Sequence, residues 1–184
     1  LRAKEKQKSE ERSVYPVHAA LELAVSPVLL VGCNPVIVDG TSDQYYLSAI
    51  KNYLISKGYI TPPKEILFLP SGSFKGIKAV VPIIAGHDES LPFIILDSDK
   101  PGLQTETQLK SSLYQGDKDK IIMLSDICGF AEAEIEDVLP TSFMAYVLTR
   151  YFRGAEEEFD EVVVEGQPIV PQVEAYASKH SIVL

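Results

Sequence analysis

The stretch Pro35-Val-Ile-Val-Asp-Gly-Thr-Ser-Asp43 and its counterpart Phe93-Ile-Ile-Leu-Asp-Ser-Asp99 decide how this chain folds. In each stretch an uninterrupted apolar run ends at an aspartate, and a second carboxylate follows within four positions. Runs that are apolar at every position are typical of strands buried on both faces, as in a parallel sheet covered by helices. Both stretches therefore predict charge at the rim of a buried sheet.

Further apolar runs alternate with helical patterns along the chain. We predict strands at 36–38, 65–69, 93–96 and 121–124, and helices at 17–24, 45–57, 105–114, 141–152 and 171–179. A helix after the loop at 70–76 is expected to run through Ile84, and Val162–Val164 is an additional strand candidate. Ser42 or Asp43 can cap the helix that starts at residue 45. The alternation predicts an α/β fold with a central, mostly parallel sheet flanked by helices on both faces.

The composition of the 184 residues limits the function. With 46% hydrophobic and 23% charged residues, the chain fits one globular domain with a buried core. The formal net charge of −9 argues against broad electrostatic binding of nucleic acid, so bound cations or a companion domain would have to attract DNA. Cys33 and Cys128 form no metal spacing or disulfide framework, and no apolar run approaches a membrane span. We expect a cytoplasmic protein without a membrane segment.

Carboxylates recur at the carboxyl ends of the predicted strands, which is where open α/β sheets bind ligands. These acidic positions are Asp39, Asp43, Asp97, Asp99 and the segment Glu132–Asp137. Converging carboxylates repel one another, so we expect a cation among them, and Mg²⁺ and Mn²⁺ prefer oxygen ligands. Alternation along the strand end predicts that Asp97 and Asp99 share a side while Ser98 faces away.

Three segments resemble, in order and spacing, the Toprim domain of the OLD (overcoming lysogenization defect) family of ATP-associated endonucleases. They are Val28–Leu47, Leu96-Asp-Ser-Asp-Lys-Pro-Gly102 and Glu134-Ile-Glu-Asp-Val-Leu-Pro140. The resemblance implies a Toprim-like nuclease domain at 17–184, in which 141–184 is a C-terminal helical extension. Residues 1–16 would then be a charged helical lead-in or linker.

The same resemblance implies an enzyme that cuts DNA with two divalent ions, Mg²⁺ or Mn²⁺. Matched position by position, the catalytic and metal-binding residues are Asp39, Asp43, Asp97 and Asp99, with Glu136 as a further metal ligand. Two such ions can activate a water, orient the phosphodiester and stabilise the leaving oxygen. The chain departs from the family in two ways. The family places Glu at the position of Asp39. The family also has a functional lysine after the last helix, and this chain has no match for it because Lys179 lies within that helix.

The partners follow from the resemblance, and three alternative functions stay open. The chain begins at Leu1 inside a charged pattern, so we expect it to be part of a longer protein. The resemblance implies an ABC/SMC-like ATPase domain before this chain and DNA as the substrate, and a homo-oligomer is a further expectation. A catalytically weakened Toprim serving as an interaction or dimerisation module is the main alternative. A strand-passage or primer-synthesis Toprim would need companion modules. A haloacid dehalogenase-type phosphatase would use Asp97 as a nucleophile and would leave Asp39 and Asp43 unexplained.

Overall fold

A computed structural model describes residues 32–88 and 90–183 of the chain. The predicted helix at 17–24 and the lead-in at 1–16 lie outside these residues.

Four parallel strands form one sheet with the order β2-β1-β3-β4. The strands are β1 Cys33–Val38, β2 Glu65–Pro70, β3 Phe93–Leu96 and β4 Ile121–Met123. The last residue of β1, Val38, lies opposite Pro70 on one side and opposite Ile95 on the other. Because all four strands run the same way, their carboxyl ends meet at one edge of the sheet. The predicted parallel α/β sheet is confirmed.

Helices follow each strand and continue to the C-terminal region. They are α1 Thr41–Ser56, α2 Phe74–Asp88, α3 Lys100–Lys110, α4 Leu124–Cys128, α5 Thr141–Tyr151, α6 Phe159–Val162 and α7 Ile169–Lys179, with 3-10 turns at Lys118–Lys120 and Ile135–Val138. Each helix in residues 32–88 and 90–183 is too short or too polar to cross a lipid bilayer.

Several predicted elements differ from the structure. Helix α1 begins at Thr41, four residues before the predicted start, and α2 continues to Asp88, four residues past Ile84. Helix α3 begins at Lys100, five residues before the predicted start, because the Asp99 side chain caps it and Pro101 stands in its first turn. The strand predicted at Val162–Val164 is wrong: Val162 ends α6. The Val163 N–H closes the last helical turn by donating to the Phe159 carbonyl, and the Val164 N–H donates to Gln172 Oε1. Both backbone donors are therefore already occupied.

Helices cover both faces of the sheet. One face carries Ile94 and Leu96, which are fully or almost fully buried against α2 and α3. The opposite face carries Ile95, which packs in a cluster with Leu47 of α1 and Leu124 of α4. This alternation along β3 is what a strand between two helical layers requires.

The C-terminal helical unit, α5 to α7, has a hydrophobic cluster of its own. Phe152, Phe159 and Tyr176 pack edge to face or tilted, with ring centroids 5.1 to 6.0 Å apart. Met144 and Ile169 are buried in the same cluster. The unit is thus held together by aromatic packing separate from the core of the sheet.

Helix α1 supplies hydrogen bonds to β2. Gln44 Nε2 donates to the Phe68 carbonyl at 3.0 Å, and Lys51 Nζ donates to the Ile66 carbonyl at 2.9 Å. These two carbonyls lie two residues apart on the strand, so they point to the same side. Side chains, rather than a further strand, satisfy them.

Candidate metal centre

The first pair of acids is positioned by the turn between β1 and α1. Asp39 follows β1 directly, and Gly40 is the N-cap of α1. Asp43, at the third helical position, accepts a hydrogen bond from the Gly40 N–H at 2.8 Å through Oδ2 and is almost fully buried. The cap residue is therefore Gly40, not Ser42 or Asp43 as predicted, but the Asp43 carboxylate still stabilises the start of the helix.

Ser98 anchors the turn after β3 and is completely buried. Its N–H donates to the Ala133 carbonyl at 2.8 Å, and its Oγ accepts from the Ser125 N–H at 2.8 Å. The aspartates on either side of it, at 97 and 99, remain partly exposed. Ser98 therefore faces the interior, away from its acidic neighbours, and ties the turn after β3 to the segment after β4.

A glycine holds the start of α3 against this turn. The Gly102 N–H donates to Asp99 Oδ1 at 2.7 Å. A Cβ added at Gly102 would lie 1.9 Å from the carbonyl oxygen of Asp97 and 3.0 Å from Asp99 Oδ1. Only glycine permits this approach of helix and strand end, which fixes the positions of both aspartates.

The late acidic segment lies on the 3-10 turn Ile135–Val138. Ile135 is buried among residues of the sheet-facing cluster. Asp137 accepts two backbone hydrogen bonds, from the Glu134 N–H at 3.1 Å through Oδ2 and from the Ile169 N–H at 2.8 Å through Oδ1. Glu134 and Glu136 are half-buried beside it. Sequence reasoning left the role of Asp137 open, although the spacing Glu134-x-x-Asp137 is that of a capping box.

Asp97 lies at the electrostatic centre of the edge. Burial, followed by the negative charges of Asp43, Asp39, Glu134 and Asp99, raises the pKa of Asp97 from its ordinary 3.8 to about 7. Its Oδ1 atom is buried and has no hydrogen-bond partner. Acids from three distant segments of the sequence are thus close enough to Asp97 to repel its charge.

The remaining predicted residues share this environment. Burial, followed by the charges of Asp43 and Asp99, raises the pKa of Asp39. Burial also raises the pKa of Glu136, and the charges of Asp43 and Asp137 raise it further. A backbone hydrogen bond to Glu136 lowers this pKa but does not cancel the increase. The structure therefore brings Asp39, Asp43, Asp97, Asp99 and Glu136 to one carboxylate edge, which also includes Glu134.

The donor chemistry of the carboxylate edge suits a hard cation. All five predicted ligands are carboxylates, the group that Mg²⁺ and Mn²⁺ prefer, and the buried Oδ1 of Asp97 lacks a partner. As they stand, no three His, Cys, Asp or Glu side chains among those that the structure describes are close enough together to hold one metal ion. The residues fit a divalent cation in type and charge, and side-chain rotation would have to bring three of them onto one ion.

Two cavities lie elsewhere in the molecule. One, of about 630 Å³, is lined by residues 151–156 and 179–183. The other, of about 320 Å³, is lined by residues 55 and 60–65. Neither includes a residue of the carboxylate edge.

Comparison of the chain with protein-family models, with curated proteins and with solved structures finds no match in any of the three. The functional argument therefore depends on the geometry and on the chemistry of the side chains.

Proposed function

We propose that the carboxylate edge is the metal site of a DNA endonuclease, which hydrolyses phosphodiester bonds with two Mg²⁺ or Mn²⁺ ions as the nuclease domain of an OLD-family protein. The observation that carries the proposal is the buried, unpartnered Oδ1 of Asp97, which is surrounded by four other acids and belongs to a carboxyl with a pKa of about 7. A group in this position gains most from a nearby positive charge.

The chain's own residues prepare the site in two ways. Asp43 accepts a hydrogen bond from the N–H of the N-cap residue Gly40, and Asp99 accepts one from the N–H of Gly102 in the first turn of α3. These bonds limit the rotation of both side chains. Asp97 has no such bond at Oδ1 and is free to act as a ligand. The ligands would be Asp39, Asp43, Asp97, Asp99 and Glu136. The bound ions would supply the charge that activates water and stabilises the leaving oxygen.

Because the chain is acidic, DNA binding needs a source of positive charge, as cleavage does. A domain with a formal net charge of −9 repels phosphates, and the carboxylate edge concentrates that charge at the site of reaction. DNA is therefore expected to bind only when the ions are present or when an ABC/SMC-like ATPase domain contributes basic residues. A second copy of the chain is a further partner in this proposal.

The test uses supercoiled plasmid and the full chain. Wild-type protein with Mg²⁺ or Mn²⁺ is expected to nick the plasmid, and an Asp97→Asn/Asp99→Asn double variant is not. The matched control is Asp119→Asn, because Asp119 is exposed and lies before β4, at the opposite end of the sheet. If the double variant nicks as well as the control, the carboxylate edge is not the catalytic site. Hydrolysis of p-nitrophenyl phosphate without nicking would support a phosphatase instead.

A second candidate function is a catalytically weakened Toprim that serves as an interaction or dimerisation module. The observation favouring it is a stripe on α5, where Phe143, Tyr146, Val147 and Tyr151 are each 42% to 69% exposed. Exposed apolar patches mark interaction surfaces more often than isolated apolar residues do. Metal binding without nicking, together with concentration-dependent dimers that a Tyr146→Ser/Tyr151→Ser variant lacks, would support this function.

A further inference from the structure

We infer that Asp137 is a positioning residue of the carboxylate edge, because it fixes the segment that carries Glu134 and Glu136 to the start of α7. The inference rests on the proposed function, since it assigns Asp137 a part in building that metal site. It also gives the C-terminal helical unit a role in the site, although that unit contains no predicted ligand.

The two oxygens of Asp137 bond to two separate segments. Oδ2 accepts from the Glu134 N–H within the 3-10 turn, and Oδ1 accepts from the N–H of Ile169, the first residue of α7 and 32 positions away in sequence. The N-cap of α7 is Pro168, whose side chain supplies no capping bond. One carboxylate therefore caps the 3-10 turn and α7, and its charge suits the positive end of α7.

The 3-10 turn needs such external support because it is only four residues long. Ile135 anchors it on the sheet side, where it is buried with Leu124 and Ala133. Asp137 anchors it on the side of α7. Glu136 lies between these two anchors in the sequence, so the direction of its side chain depends on both.

A role as metal ligand explains the contacts of Asp137 less well than a role in positioning. Both of its oxygens already accept a backbone N–H, whereas Oδ1 of Asp97 has no partner. Helix α7 also contacts the 3-10 turn directly. Loosening α7 is therefore expected to loosen the acidic segment.

The test compares Asp137→Ala and Asp137→Asn with Glu165→Ala, in the full chain. Glu165 is a matched control because it is exposed and precedes α7 without a hydrogen bond among the described residues. The measurements are amide hydrogen exchange at Glu134 and Ile169, and the dissociation constant of Mn²⁺. In Asp137→Ala we expect faster exchange at both amides and an approximately tenfold weaker Mn²⁺ affinity, the usual scale for losing an outer-shell partner. Asn keeps one acceptor oxygen, so Asp137→Asn should be intermediate.

The outcomes separate this inference from the proposed function. If Asp97→Asn abolishes Mn²⁺ binding while Asp137→Ala retains wild-type affinity, the positioning role is overturned and the metal site stands. If exchange at Glu134 and Ile169 is unchanged in Asp137→Ala, the link to α7 is overturned whatever happens to Mn²⁺. If the wild type binds no Mn²⁺, the proposed function fails and with it the role in metal binding, and the exchange data then report only on the link.

Discussion

Replacing Asp97 by Asn should stabilise the metal-free protein at pH 8. Most substitutions of partly buried residues destabilise a protein, so the opposite sign is a demanding test. The reason is that burial and four neighbouring acids raise the pKa of Asp97 to about 7, so that at pH 8 the folded protein holds a charged group in an unfavourable position. Asn has nearly the same shape and no charge, and it removes this repulsion.

The size of the gain follows from linkage between proton binding and folding. At a pH above both values, a carboxyl whose pKa rises from 3.8 to about 7 on folding lowers the free energy of unfolding by at most about 4 kcal/mol. This is the largest stabilisation that removing its charge can give. Because Asp97 is only half-buried, solvent screening reduces this, and we expect about 1–2 kcal/mol. For a protein of this size that corresponds to an increase of roughly 3–6 °C in Tm. The gain should shrink as the pH falls towards 5, where the folded wild type is mostly protonated at Asp97, and should disappear only below the ordinary pKa of 3.8.

Chemical denaturation in EDTA, followed by circular dichroism at pH 8 and pH 5, measures the effect. Asp119→Asn removes the same charge from an exposed site and should change stability by less than about 0.5 kcal/mol. Adding Mg²⁺ at pH 8 should then stabilise the wild type and not Asp97→Asn, because only the wild type gains a ligand. A destabilised or unchanged Asp97→Asn in EDTA at pH 8 would refute the reasoning, since Asp97 would then not be under electrostatic stress.

Three further predictions concern the frame around the site. Gly102→Ala should destabilise the fold by about 3 kcal/mol in urea denaturation, because its Cβ would lie 1.9 Å from the Asp97 carbonyl oxygen. Ser98→Ala should cost about 1 kcal/mol in the same assay, because it leaves the partly buried Ser125 N–H without its acceptor. Lys51→Met should promote self-association in sedimentation velocity, because it frees the Ile66 carbonyl of β2 for pairing with another chain. A wild-type result for any of these variants would contradict the contact concerned.

Metal-free wild-type protein should become more stable as the pH falls from 8 to 5. Asp39, Asp97, Glu134 and Glu136 have folded-state pKa values above their ordinary values. Stability from a raised acid pKa is fully present below the unfolded pKa, near 4, and is lost as the pH rises through the folded pKa. Denaturation in EDTA across this range measures the slope, and a flat or opposite slope would contradict the mutual repulsion of the acids.

The order of the strands along the chain and the location of the acids were predictable because both depend on local patterns. An apolar run such as Phe93–Leu96 marks a buried strand wherever it pairs, and an aspartate after it must lie at the strand end. Parallel strands then place Asp39 and Asp97 at the same edge without further information. The roles of these acids in metal binding and catalysis remain a prediction.

What local patterns missed depends on contacts between distant segments. The helical period suggested a start of α3 at residue 105, but the Asp99 cap places it at Lys100. The valines at 162–164 have strand propensity, yet their donors are taken by α6 and by Gln172 of α7. The second hydrogen bond of Asp137 spans 32 residues, and no spacing rule anticipates it. Tertiary hydrogen bonds override local propensity at each of these places.

The acids at the carboxylate edge fall into two groups by their hydrogen bonds. Asp43, Asp99 and Asp137 each accept from a backbone N–H at the start of a helix or 3-10 turn, and such a bond lowers the cost of keeping a buried charge. Asp97 has no such compensation at Oδ1 and carries the largest described increase in acid pKa. The capping acids therefore act as a fixed frame around Asp97, and the favourable effect of a cation should be concentrated on Asp97. Loss of cation binding should consequently be most severe for substitutions at Asp97.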